Sequence, residues 1–158
     1  PKSYFNSFKK KGFKRFFLED LLQSQDPNTK KALSVALGVF IGLSPFWGFH
    51  TILVLSLAFL LRLNKLIAFA FSNVSMPPLI PFIIYISLKA GGFILGSKPL
   101  PPFRWDALES YKEFVGQHFL QYIVGSFTAA ILGAIIFGSG AYFLLELRRK
   151  KTSSLSNS

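Results

Sequence analysis

The sequence predicts an all-α integral membrane protein: broken or re-entrant helices, regular transmembrane helices and an N-terminal amphipathic helix. Three observations support this. Ala32 to Leu61 runs thirty residues without a charge, yet Leu43-Ser44-Pro45-Phe46-Trp47-Gly48-Phe49-His50 interrupts it. A second apolar run, Leu66 to Leu88, is interrupted by Ser75-Met76-Pro77-Pro78. Positive charge gathers at the two ends of the chain, as it does on the cytoplasmic flanks of membrane segments.

Composition narrows the class. In 158 residues, 51% of them hydrophobic, there is room for one domain, and the long uncharged runs do not suit a soluble one. The net charge of +11 raises nucleic acid as a partner, but the charges flank apolar segments and no nucleic-acid motif accompanies them. The absence of cysteine removes disulfides, thiolate nucleophiles and cysteine-ligated metals. The basic, aromatic N-terminus lacks the apolar core and small-residue site of a cleavable leader.

Residues 1–29 form a basic interfacial segment. Phe5, Phe8 and Phe16, with Phe13, Phe17 and Leu21 one turn offset, make an apolar stripe among Lys9, Lys10, Lys11, Lys14 and Arg15. Such a helix lies in the headgroup plane, and each Lys or Arg near an anionic leaflet adds about 1 kcal/mol of attraction. Gln25-Asp26-Pro27-Asn28-Thr29 is a turn, with Asp26 or Asn28 placed to cap the next helix.

The membrane domain is expected over 30–147. As one helix, residues 32–61 would be about 45 Å long, too long for a hydrocarbon core of about 30 Å. Split at Pro45–Gly48 they become two half-helices that enter and return on one side, leaving Arg62 and Lys65 cytoplasmic. Residues 66–96 are expected to cross once, broken at Pro77 and Pro78. The outer loop, 97–118, is neutral, with Lys98, Arg104 and Lys112 against Asp106, Glu109 and Glu113, and with Trp105 and Tyr111 at the outer interface. Residues 119–145 are the return crossing. Gly125, Ala129 and Gly133, flanked by Ser126, Ala130, Ala134 and Gly138, give it a face for close helix packing and for a homo-oligomer contact. Residues 148–158 form a basic tail whose serine-rich end is expected to be disordered, with both chain termini cytoplasmic.

Three motifs in order, Gly38-x-x-x-Gly42-x-x-Pro45-x-x-Gly48-x-x-Thr51, Arg62-x-Asn64 and Asn73-x-x-x-Pro77, resemble the bacterial membrane family known as domain of unknown function 2062. The resemblance runs over roughly residues 31–141. In that family the second break usually reads Asn-Pro with the two adjacent, whereas Val-Ser-Met separates Asn73 from Pro77 here. The resemblance implies a bacterial inner-membrane protein, in some members joined to or encoded near glycosyltransferases of cell-envelope synthesis.

The chemistry available is narrow. No Asp or Glu lies between Asp26 and Asp106, so the membrane region lacks the buried carboxylates of proton and cation carriers and of hydrolytic sites. Two histidines are too few for a metal site. The expectation is no enzyme, no cofactor and no metal. The titratable groups near the breaks, His50, Arg62, Lys65 and Lys89, are all potentially cationic. Half-helix N-termini favour phosphate or carboxylate.

Ser44, His50, Thr51, Arg62, Asn64, Lys65, Asn73 and Ser75 are therefore the candidate ligand-binding residues, and Pro45, Gly48, Pro77 and Pro78 the structural breaks. Several keep a plainer reading. His50 either contacts a ligand or bonds a freed carbonyl. Arg62 and Lys65 either recognise a ligand or mark the membrane boundary. Asn64 and Asn73 either bind or cap helices. The expected function is binding or moving an anionic lipid or phosphate-bearing carrier, with polyprenyl phosphate of envelope glycan synthesis as the candidate. The alternative is a non-catalytic anchor or assembly subunit for a glycosyltransferase.

Overall fold

A computed structural model describes residues 25–46, 48–73, 79–97, 100 and 102–156. The predicted N-terminal amphipathic helix, Trp47, Ser75, Pro77 and Pro78 lie outside the described residues. All regular structure within them is helical: α1 (Asn28–Leu43), α2 (His50–Leu60), α3 (Lys65–Ser72), α4 (Ile80–Leu95), α5 (Leu108–Gln117) and α6 (Phe119–Ser156).

The chain breaks where its local chemistry requires. Pro45 biases Ser44 away from helical geometry. Ser44 is accordingly extended, with its backbone N–H bonded to the Phe40 carbonyl at 3.0 Å. Gly48 takes a φ of 84°, which turns the chain into α2 and would strain any other residue. α2 ends in a Schellman turn, with Leu63 N–H on the Ala58 carbonyl and Arg62 N–H on the Phe59 carbonyl. The left-handed position of that turn, normally glycine, is Arg62 at φ 54°. Gly96 fills the equivalent place after α4 at φ 65°.

Asn64 caps α3, its side-chain oxygen accepting from Leu66 and Ile67 N–H at 3.1 and 3.2 Å. The sequence offers Asp26 or Asn28 as the cap of α1, but the N-cap position is Pro27. Asp26 pairs with Lys30 at 2.7 Å and accepts from Asn64 Nδ2 at 2.9 Å. Asn28 Nδ2 donates to Glu146 Oε2 at 3.1 Å.

α6 is the spine. At 38 residues it is about 57 Å long, and it is the one helix among the described residues long and apolar enough to cross a membrane. α1 runs antiparallel along its C-terminal half, from Asn28 beside Glu146 to Leu43 beside Gly133. α4 runs antiparallel along its N-terminal half, with Ser87 against Gly125 and Gly91 against Gln121. The two 16-residue helices thus lie in line along α6, the end of α1 pointing toward the start of α4.

α3 is parallel to α1, with Ala68 over Gly38 and Ser72 over Gly42, and α2 packs with both. Ile41, Val54, Ala58 and Ala68 form the core of this three-helix unit. Ile84, Leu88, Tyr111 and Tyr122 form the core where α4 and α5 meet α6.

Two stretches differ from expectation. The segment expected to be an outer loop, 97–118, contains a helix, α5, whose Tyr111 hydroxyl accepts from Arg104 N–H at 2.8 Å. The tail expected to be disordered continues α6 to Ser156, with Thr152, Ser153 and Ser154 hydroxyls bonded to carbonyls three or four residues back. Such back-bonding occupies the hydroxyls within the helix, at a slight cost in helix stability.

Candidate functional site

The described helix ends that flank the two interruptions lie close together. The backbone of α1 at Gly42 lies directly against the Ser72 carbonyl at the end of α3, and a β-carbon on Gly42 would sit 2.6 Å from that oxygen. Phe46, in the α1–α2 turn, meets Phe127 of α6 edge-on at 6.0 Å between centroids. Four helix ends converge there on the first half of α6: the ends of α1 and α3 and the starts of α2 and α4.

Between them is a cavity of about 130 Å³, lined by Gly42, Ser44, His50, Ile80, Ile84 and Tyr122 among others. Its polar side chains are few. Ser44 is buried and its hydroxyl donates to the Phe40 carbonyl at 2.6 Å. His50 is half-buried at the first position of α2, with half-buried Thr51 next. Neither α2 nor α4 has a side-chain hydrogen bond capping its N-terminus. Such ends present backbone N–H groups and partial positive charge. The ends of α1 and α3 bring the opposite partial charge. Asn73 lies at the close of α3, its Nδ2 donating to the Phe69 carbonyl at 2.8 Å.

The remaining candidates lie elsewhere. Arg62, Asn64 and Lys65 sit at the far end of α2, about 16 Å from His50 along an 11-residue helix. There Asn64 N–H donates to Ser34 Oγ at 2.9 Å, and Ser34 in turn donates to the Lys30 carbonyl at 2.8 Å. Lys65 Nζ stands 4.5 Å over the Phe59 ring. This end gathers Lys30, Lys31, Arg62, Lys65, Arg148 and Arg149, with Asp26 and Glu146 the nearby acids.

The candidate set therefore separates: Ser44 and His50 line the cavity, Thr51 and Asn73 stand at adjoining helix ends without lining it, and Arg62, Asn64 and Lys65 belong to the basic end. Lys89, read from sequence as near the breaks, is in the second half of α4 and lines a different cavity. Tyr122 and Phe127 escaped the sequence reading, because α6 showed a small-residue face there and no break. Among the described residues no group of three His, Cys, Asp or Glu side chains is placed to hold a metal.

An all-helical arrangement of the described residues, with one helix among them long and apolar enough to cross a membrane, is the class these observations define. The chain belongs to the family described as uncharacterized protein conserved in bacteria, DUF2062, which it matches over residues 11–154. Neither the curated proteins nor the solved structures contain a match.

Proposed function

We propose that this chain is a small bacterial inner-membrane protein that binds and moves an anionic lipid or phosphate-bearing carrier, with polyprenyl phosphate as the candidate. The observation that carries the reading is the cavity where the end of α1 and the starts of α2 and α4 come together against the first half of α6. Non-helical backbone at membrane depth is tolerated where protein shelters it or a cavity hydrates it. Transporter sites are commonly built from facing half-helix ends.

Several features favour the membrane setting. The most apolar window of α6 is only 33% buried, unlike the core helix of a soluble protein. Phe49, Ile52, Phe59, Phe93, Ile136 and Phe143 are all more than half exposed, a belt that water would not tolerate. Cations gather at one end, while Arg104–Asp106 and Lys112–Glu109 pairs neutralise the other. In this reading α1 and α2 form a re-entrant hairpin, α3 and α4 a broken crossing and α6 the return. The basic end and both termini are cytoplasmic. Recognition rests on the helix N-termini and His50, with Arg62 and Lys65 drawing anionic headgroups to the cytoplasmic rim. No enzymatic step is assigned.

A homo-oligomer has to use a face other than the glycine–alanine one. Gly125, Gly133 and Gly138 are already filled by α4 and α1, whereas Gly140 has open space beside it.

The test is headgroup movement of labelled polyprenyl phosphate in proteoliposomes. Movement faster than in empty liposomes, slowed by His50→Ala and by Arg62→Ala, supports the reading, and movement at the empty-liposome rate defeats it. The small size of the cavity and the engagement of Ser44 with Phe40 favour a second reading, a non-catalytic anchor for a glycosyltransferase. Co-purification of such a partner, with Ala tolerated at Ser44, His50 and Asn73, distinguishes it.

A further inference from the structure

Away from the breaks, a larger cavity of about 310 Å³ opens between α4, α6 and the chain leaving α4. Tyr85, Lys89, Gly92, Ser97, Leu100 and Gln121 line it. Gln121 is only 3% exposed. Its Nε2 donates to the Leu88 carbonyl at 2.9 Å, which fixes the amide orientation, and its Oε1 is buried without a hydrogen-bond partner among the described residues. An orphaned buried acceptor is costly and calls for an explanation. Gly92 provides the space this amide occupies, since a β-carbon there would lie 2.8 Å from Gln121 Nε2.

Lys89 supplies the other half. It is exposed on an apolar helix, its Nζ is 5.9 Å from the Tyr85 ring centroid, and no salt bridge engages it among the described residues. A lone cation on an apolar helix face marks a binding function when the helix is lipid-immersed. Phe93, 91% exposed, stands beside the cavity on the same helix.

We infer that this cavity binds the headgroup of a hydroxyl-bearing anionic phospholipid. Lys89 meets the phosphate, a headgroup hydroxyl donates to Gln121 Oε1, and the acyl chains run past Phe93. This site is separate from the break cavity; it rests on the proposed membrane setting of α4 and not on the transport reading.

The experiment is a thermal-shift and native mass spectrometry titration of the full chain in neutral detergent. The probes are phosphatidylglycerol, phosphatidylcholine, phosphatidylmethanol (a phosphodiester without a headgroup hydroxyl) and inorganic phosphate. Phosphatidylglycerol is expected to bind about fivefold or more tightly than phosphatidylcholine, and Lys89→Gln to erase that margin. Gln121→Leu should erase the preference for phosphatidylglycerol over phosphatidylmethanol while leaving both above phosphatidylcholine. His50→Ala should change none of these, which separates this site from the break cavity. Equal binding of phosphatidylglycerol and phosphatidylcholine, indifference to Lys89→Gln, or saturation by inorganic phosphate alone would overturn the inference. Lys89 is exposed, so its variant remains informative if Gln121→Leu fails to fold.

Discussion

Gly42 and Ser72 lie backbone to backbone, and the contact joins the first interruption of the chain to the approach of the second. A methyl group at 42 would press on a carbonyl held in a helix end, where neither side yields cheaply. Gly42→Ala is predicted to destabilise the protein by about 1–3 kcal/mol, the usual cost of overpacking. Gly140→Ala, with open space at its β-carbon, should be neutral or stabilising by about 0.5–1 kcal/mol. Thermal unfolding in detergent compares the two directly.

Arg62 holds a backbone conformation that its side chain disfavours, while Gly96 meets the same demand at no such cost. Arg62→Gly should therefore stabilise the α2–α3 turn by about 1 kcal/mol. The same variant should bind anionic vesicles more weakly than the parent, since one cation is gone. Raised thermal stability with lowered vesicle binding would indicate that the arginine is kept for its charge; a loss of both would point to a structural role.

Asn64 combines a cap with a long-range tie to Asp26. Asn64→Ala is predicted to cost about 1–3 kcal/mol from the cap and the lost hydrogen bond together. Asn64→Asp keeps the cap acceptor but faces the Asp26 carboxylate, so it should fall between the parent and Asn64→Ala. Denaturation midpoints of the three proteins give the ranking.

At the opposite end, the hydrogen bond from Arg104 holds the Asp106 carboxyl below its ordinary range, with the arginine charge acting in the same direction. The folded form thus favours the ionised acid. Its contribution is present above the ordinary aspartate range and is lost as pH falls through the lowered value. Both partners are solvent-exposed, so the effect should be small and screened by salt. A carboxyl titration followed by NMR should show a depressed Asp106 midpoint that Arg104→Gln returns upward.

The helix breaks were legible because proline and glycine act locally: Ser44 leaves the helix ahead of Pro45, and Gly48 supplies the positive φ of the turn. Asn64 was legible as a cap for the same reason. Which helix ends meet was not legible, since that depends on α1 and α4 lying in line along α6 and no local pattern encodes it. The glycines of α6 announced close packing without saying that the partners are α1 and α4 of the same chain. The helical tail was missed because serine composition suggests disorder, while its hydroxyls fold back onto the helix.

Natural absence of cysteine makes the path of the chain directly measurable. Single cysteines at positions 62, 105 and 149 can be labelled with a membrane-impermeant maleimide, before and after permeabilising the cells. A hairpin that enters and returns on one side predicts that 62 and 149 react only after permeabilisation and that 105 reacts in intact cells. Labelling of 62 in intact cells, alongside 105, would contradict the arrangement, because residues 32–61 would then cross the bilayer instead of returning to the side they entered from.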